Sequence, residues 1–146
     1  MGYRNCWRSR KFYWTQVEQI LAILQRFFKD TDIDLDKYLL ICEQLGQEPD
    51  PDKMPPDRAI LPYEVQVAFL LHDILPDRWD GMSGSYFGKD MSALGTLLDV
   101  YEVEDKKTVV YFLKHIEAYN SQSINKKLDE QRKSKERSMR AKSNIK

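Results

Sequence analysis

The sequence predicts an all-α fold, a compact bundle of four to five helices with a long charged C-terminal helical extension. Three observations carry that expectation. Apolar residues recur at intervals of three and four in five separate segments, no segment alternates apolar and polar residues as a half-buried strand does, and glycine and proline cluster between residues 46 and 95 and leave the last twenty residues free of both. With 146 residues, 42% apolar and 12% aromatic, the chain holds about one domain and can bury a core.

The first helix is expected from Thr15, where Thr15-Gln16-Val17-Glu18 has the spacing of a capping box. Val17, Ile20, Leu21, Ile23, Leu24, Phe27 and Phe28 then form a wide apolar stripe, which Lys29-Asp30 ends. A second helix is predicted from Asp34, with Leu35, Leu39, Cys42 and Leu45 on its core face and Gly46 as a left-handed stop. Four prolines between Pro49 and Pro56 remove backbone donors and force extended geometry, so this stretch reads as a stiff connector. Pro62 suits the first turn of a third helix, whose apolar residues lie on nearly all sides and predict a central position, with Pro76-Asp77 as terminator. Asp90 is expected to cap a fourth helix through Leu94, Leu97, Leu98 and Tyr101, and Glu104-Asp105-Lys106-Lys107 to turn into a fifth through Val109, Phe112, Leu113 and Ile116. Beyond Asn120 the stripe thins, which predicts a solvated rod or a disordered tail. The organisation expected is a basic aromatic segment (1–14), a helical domain (15–122) and a basic tail (123–146).

Formal charge sums to zero but is unevenly spread. Residues 125–146 hold nine Lys/Arg against three Asp/Glu, residues 1–14 hold four basic residues and no acidic one, and Thr15 to Ile124 is left at net −10. An acidic body with basic ends points to polyanions or to assembly with acidic partners. No stretch approaches the roughly 18 apolar residues of a membrane span, the basic N-terminus leads into an amphipathic segment without a cleavage site, and position six, where a myristoylation signal needs Ser or Thr, is Cys6. Two cysteines in unlike contexts, Cys6 and Cys42, offer neither a disulfide framework nor zinc spacing. The expectation is a soluble cytoplasmic protein without membrane contact.

Four features were candidates for chemistry. Gly84-Ser85-Tyr86-Phe87-Gly88-Lys89-Asp90 is one residue short of a phosphate loop and puts an aspartate where the magnesium-binding hydroxyl must stand. The plainer reading is a glycine loop whose Trp79, Met82, Tyr86, Phe87 and Lys89 form a partner-contact surface. Asp30, Asp32 and Asp34 match the start of a calcium loop, but Leu35 replaces its glycine and Ile41 its bidentate glutamate. His72 and His115 have no metal ligand at suitable spacing, and no serine or cysteine lies in a nucleophile motif. Neither catalysis nor a cofactor is expected. In the basic tail, Lys126, Lys127, Arg132, Lys133, Lys135, Arg137 and Arg140 could be a solvated face, a grip on an acidic partner, or a salt-sensitive contact with nucleic acid, as in a DNA-packaging or transcription helper. Trp7, Phe12, Tyr13 and Trp14 among N-terminal arginines suit an interface or base stacking.

The segments Ile41-Cys42-Glu43-Gln44-Leu45-Gly46-Gln47-Glu48-Pro49, Trp79-Asp80-Gly81-Met82-Ser83-Gly84, Gly88-Lys89-Asp90 and Glu104-Asp105-Lys106-Lys107, with the Lys/Arg-rich end, resemble small proteins encoded by contractile-tailed bacteriophages of marine bacteria. The resemblance covers roughly residues 38 to 140. It implies a non-enzymatic role in virion morphogenesis, as a chaperone-like tail or baseplate-hub assembly factor or a minor structural protein. The implied partners are other phage structural or assembly proteins, in the host cytoplasm or the virion. It supplies no catalytic residues.

Overall fold

The computed structural model describes residues 14–29 and 35–143. The basic aromatic segment with Trp7, Phe12 and Tyr13, and the carboxylates Asp30, Asp32 and Asp34, lie outside them. Among the described residues the chain forms five helices and one two-stranded hairpin, in the order α1 (Trp14–Phe27), α2 (Leu35–Leu45), a single 3-10 turn (Arg58–Ile60), α3 (Tyr63–Ile74), β1 (Asp77–Trp79), β2 (Tyr86–Lys89), α4 (Leu94–Val100) and α5 (Lys106–Ser143). The helical bundle with a long charged extension is present.

The three- and four-residue spacing of α1 buries Val17, Ile20 and Leu24 against the rest of the core. Thr15 lies within the first turn rather than ahead of it, because the helix already includes Trp14. The central helix is α3, with Val65, Ala68, Phe69 and Leu71 nearly inaccessible. The Phe69 ring meets Phe27 at 5.3 Å and Phe28 at 6.3 Å, and the Arg58 guanidinium covers it at 4.3 Å. The first three turns of α5 close the core through Val109, Phe112, Leu113 and Ile116.

Helix α2 departs from expectation. Its three- and four-residue spacing predicts a buried stripe, yet only Cys42 is buried, and Leu39, Leu40, Ile41 and Leu45 are exposed. Periodicity makes a helix amphipathic; it does not supply the surface that covers it. Gly46 does stop the helix, at φ +63°, with its N–H donating to the Glu43 carbonyl and that of Gln47 to the Cys42 carbonyl. The connector is pinned where the Asp50 N–H donates to the Tyr38 hydroxyl at 3.0 Å.

Two boundaries near α4 also differ. Asp90 caps a turn rather than the helix, accepting from the Ser92 N–H at 2.9 Å, and α4 begins only at Leu94. At its far end Glu102 takes the left-handed position, φ 48°, with the same paired bonds seen at Gly46: its N–H donates to the Asp99 carbonyl and that of Val103 to the Leu98 carbonyl. A side chain in that conformation costs about 1 kcal/mol. Glu102→Gly should therefore raise stability by about 0.5 kcal/mol after the added freedom of the unfolded chain is subtracted, measurable as a higher urea midpoint at unchanged slope.

Helix α5 starts at a well-made cap, where the Asp105 carboxylate accepts from the Thr108 N–H at 3.2 Å and the Thr108 hydroxyl at 2.7 Å. It then runs 38 residues without a break. The expected boundary at 122/123 falls inside this helix, so body and extension are continuous.

Candidate functional site

The glycine-rich stretch is a β-hairpin, which the sequence reading of no strands missed. Strands of three and four residues are too short for alternation to be visible. Asp77 pairs with Lys89, Arg78 with Gly88 and Trp79 with Tyr86, antiparallel, with an irregularity between Arg78 and Trp79. The turn is organised on Asp80, whose carboxylate accepts from the Ser83 N–H at 2.9 Å and from the Ser83 hydroxyl, while Gly84 supplies a positive φ of 65°.

The two-residue period of β2 decides which side chains are available. Tyr86 and Gly88 point inward and Phe87 outward. Tyr86 is 3% exposed, its ring against Trp79 at 5.0 Å and its hydroxyl donating to Asp77 at 2.9 Å. The Lys89 ammonium is turned in as well, 3.0 Å from the Asp77 carboxylate. Of the five residues expected to meet a partner, Tyr86 and Lys89 therefore belong to the hairpin's own packing, and Lys89 is not placed as a phosphate lysine. Trp79, Met82 and Phe87 remain available at 51%, 98% and 66% exposure.

The hairpin is bolted to the long helix by groups that no motif flagged. Asn125 accepts from the Tyr86 N–H and donates to the Tyr86 carbonyl, both at 3.2 Å, so one side chain satisfies both backbone groups of a β2 residue. Glu117 is the hub: one oxygen accepts from the Lys89 N–H at 3.2 Å and the Ser121 hydroxyl at 2.6 Å, and the other lies 2.8 Å from His72 Nε2. Arg132 donates to the Ser83 carbonyl at the turn. Glu117, Ser121 and Asn125 are spaced by four, one ridge of α5. That polar ridge inside a half-buried segment was the available signal.

Among the described residues the Ser121 hydroxyl donates to one Glu117 oxygen and His72 meets the other, so the set is wired as a clamp between α3, β2 and α5. Among the described residues, no group of three His, Cys, Asp or Glu side chains is placed to hold a metal ion, and no helix is long and apolar enough to cross a membrane.

The hairpin's carboxylates are tuned by their bonds. Burial pushes Asp77 up, but the bonds from Lys89 and Tyr86 outweigh it and hold the carboxyl below its ordinary range. Ser83 lowers Asp80 and Ser92 lowers Asp90. Burial, with Asp77 beside it, pushes the Tyr86 phenol well above its usual value. Since the folded carboxyl values lie below the unfolded ones of about 4, their stabilisation is complete above that pH and is lost as pH falls through the folded values. In a variant retaining Trp79 as sole tryptophan, its fluorescence should shift below about pH 4, ahead of the loss of helical circular dichroism.

The expected basic-tail residues all lie on α5 and are exposed. They divide by face. Arg132 turns to the hairpin and to Asp129 at 3.9 Å, whereas Lys126, Lys133, Arg137 and Arg140 fall within about 60° of one another at 100° per residue. Lys127 and Lys135 lie outside that stripe. Near its start, Gln25 of α1, Phe28 and Lys29 of the turn after it, and Tyr119, Lys126 and Lys127 from α5 line a cleft of about 320 Å³.

Comparison of the chain with protein-family models, with curated proteins and with solved structures finds no match.

Proposed function

We propose that the protein is a non-enzymatic bacteriophage assembly factor or minor structural component, acting by protein–protein contacts in tail or baseplate-hub construction. The observation that carries this reading is the hairpin, a short element clamped by Glu117 and Asn125 that presents Trp79, Met82 and Phe87 to solvent. Large side chains on a rigid frame lose little entropy on binding and act as anchors. The uncovered Leu39, Leu40, Ile41 and Leu45 of α2 offer further apolar area suited to a partner in an assembly. The viral setting comes from the sequence resemblance, and the site of action that follows is the host cytoplasm or the virion.

Met82→Asp with Phe87→Asp tests the reading, because both side chains are exposed and the double variant should hold the wild-type fold within about 0.5 kcal/mol. Introduced into the viral genome, it should leave the protein folded and expressed while tails fail to assemble and co-purification with tail intermediates is lost. Normal particle yield with both charges in place would overturn it.

A further inference from the structure

A face of α5 about 120° round from the ridge that clamps the hairpin carries a second pattern, independent of the hairpin. Tyr111, His115 and Tyr119 recur every four residues as a partly exposed aromatic ladder, with ring centroids 4.6 and 6.1 Å apart. Beside the same face opens the cleft lined by Phe28, Lys29, Tyr119, Lys126 and Lys127, and along the face follow Lys133, Arg137 and Arg140. At 100° and 1.5 Å per residue, Tyr111 to Arg140 keeps within about 80° of one direction over some 40 Å. Three carboxylates border the track: Asp129, which faces Arg132 at 3.9 Å, Glu130 at the cleft, and Glu136, three residues after Lys133 and four before Arg140. Burial lowers the His115 pKa, which favours a neutral ring.

We propose that this face of α5 binds single-stranded nucleic acid, the aromatic ladder and cleft receiving bases and the cationic stripe following the phosphates. Aromatic rings can stack only on bases whose faces are free, which a duplex withholds, and cations along a rod match a polyanionic strand. An acidic protein surface would use the stripe but leave the ladder and cleft idle. Stacking and phosphate pairing read no base sequence, so binding is sequence-tolerant and ribose and deoxyribose strands share the same chemistry.

The test is fluorescence anisotropy of the full chain with labelled (dT)30 and (rU)30, a 30-base-pair duplex and poly-glutamate, from 50 to 300 mM salt. Either single strand should bind more tightly than duplex and poly-glutamate, with a log–log salt slope of about −3 for four neutralised phosphates; the tighter of the two identifies the natural class. Lys133→Gln with Arg137→Gln should weaken binding at least about tenfold and reduce the slope by about 1.4. Tyr119→Leu should weaken binding with the slope unchanged, and His115→Leu repeats that test if Tyr119→Leu melts early. Met82→Asp should leave binding intact. Poly-glutamate or duplex matching the single strands, or aromatic variants binding like wild type, would overturn the proposal.

Discussion

Gly88→Ala should destabilise the protein by about 3 kcal/mol and loosen the hairpin from α5. Two costs add. Gly88 adopts φ +101°, a conformation that L side chains enter only with strain of about 1–3 kcal/mol. A Cβ there would also stand 2.6 Å from the Glu117 carboxylate oxygen that accepts from Ser121 and the Lys89 N–H, while His72 holds the other oxygen. That oxygen cannot withdraw without breaking the bonds that dock β2, and overpacking against a fixed neighbour costs a further 1–3 kcal/mol or so. Gly81→Ala is the control, since a Cβ there meets nothing within 4 Å and its φ is ordinary. Denaturant melts of the two variants should separate by most of the predicted difference. Similar midpoints would show that the hairpin does not sit against Glu117.

Glu117→Ala should cost about the same, roughly 3 kcal/mol, for a different reason. The carboxylate side chain is only 14% exposed and His72 only 7%. Truncation leaves the His72 Nε2 and the Lys89 N–H, both inside the molecule, without their acceptor, and an orphaned buried donor loses about 1–3 kcal/mol each when water cannot reach it. The two substitutions are coupled in a way that distinguishes them from general damage. In a Glu117→Ala background the atom that clashes with residue 88 is gone, so Gly88→Ala should then cost only its backbone strain. The double variant should be more stable than the sum of the singles predicts by at least about 1 kcal/mol. Additive losses would place the cost of Gly88→Ala entirely in the backbone.

Where a residue's role depended on its sequence neighbours, it was legible before the structure. The repeats of Val17, Ile20 and Leu24 and of Val109, Phe112 and Ile116 marked core faces, Gly46 marked a left-handed stop, and the four prolines marked a connector. Roles that depend on distant partners were not legible. The stripe of α2 looked like core because amphipathicity is local, whereas coverage is tertiary. The hairpin escaped because Tyr86-Phe87-Gly88-Lys89 spans only two periods of a strand, and its stability comes from Asn125 and Glu117 some thirty to forty residues on. For the same reason the loop aromatics could be named together as a surface, but not sorted into inward Tyr86 and outward Phe87 until the strand register fixed which way each one faces.

The unbroken passage of α5 from core to solvent means that its outer half never has to begin a helix by itself. The first turn of a helix is its improbable event, with a nucleation factor near 10⁻³, and here it is completed at Asp105 and held by buried Phe112 and Ile116. Residues 126–143 need only propagate an order already established, so a sequence too polar to hold a shape alone is carried outward as a stiff spar. A peptide of those eighteen residues should be mostly coil, and a proline placed at the root of the spar should unravel everything beyond it while leaving the core intact.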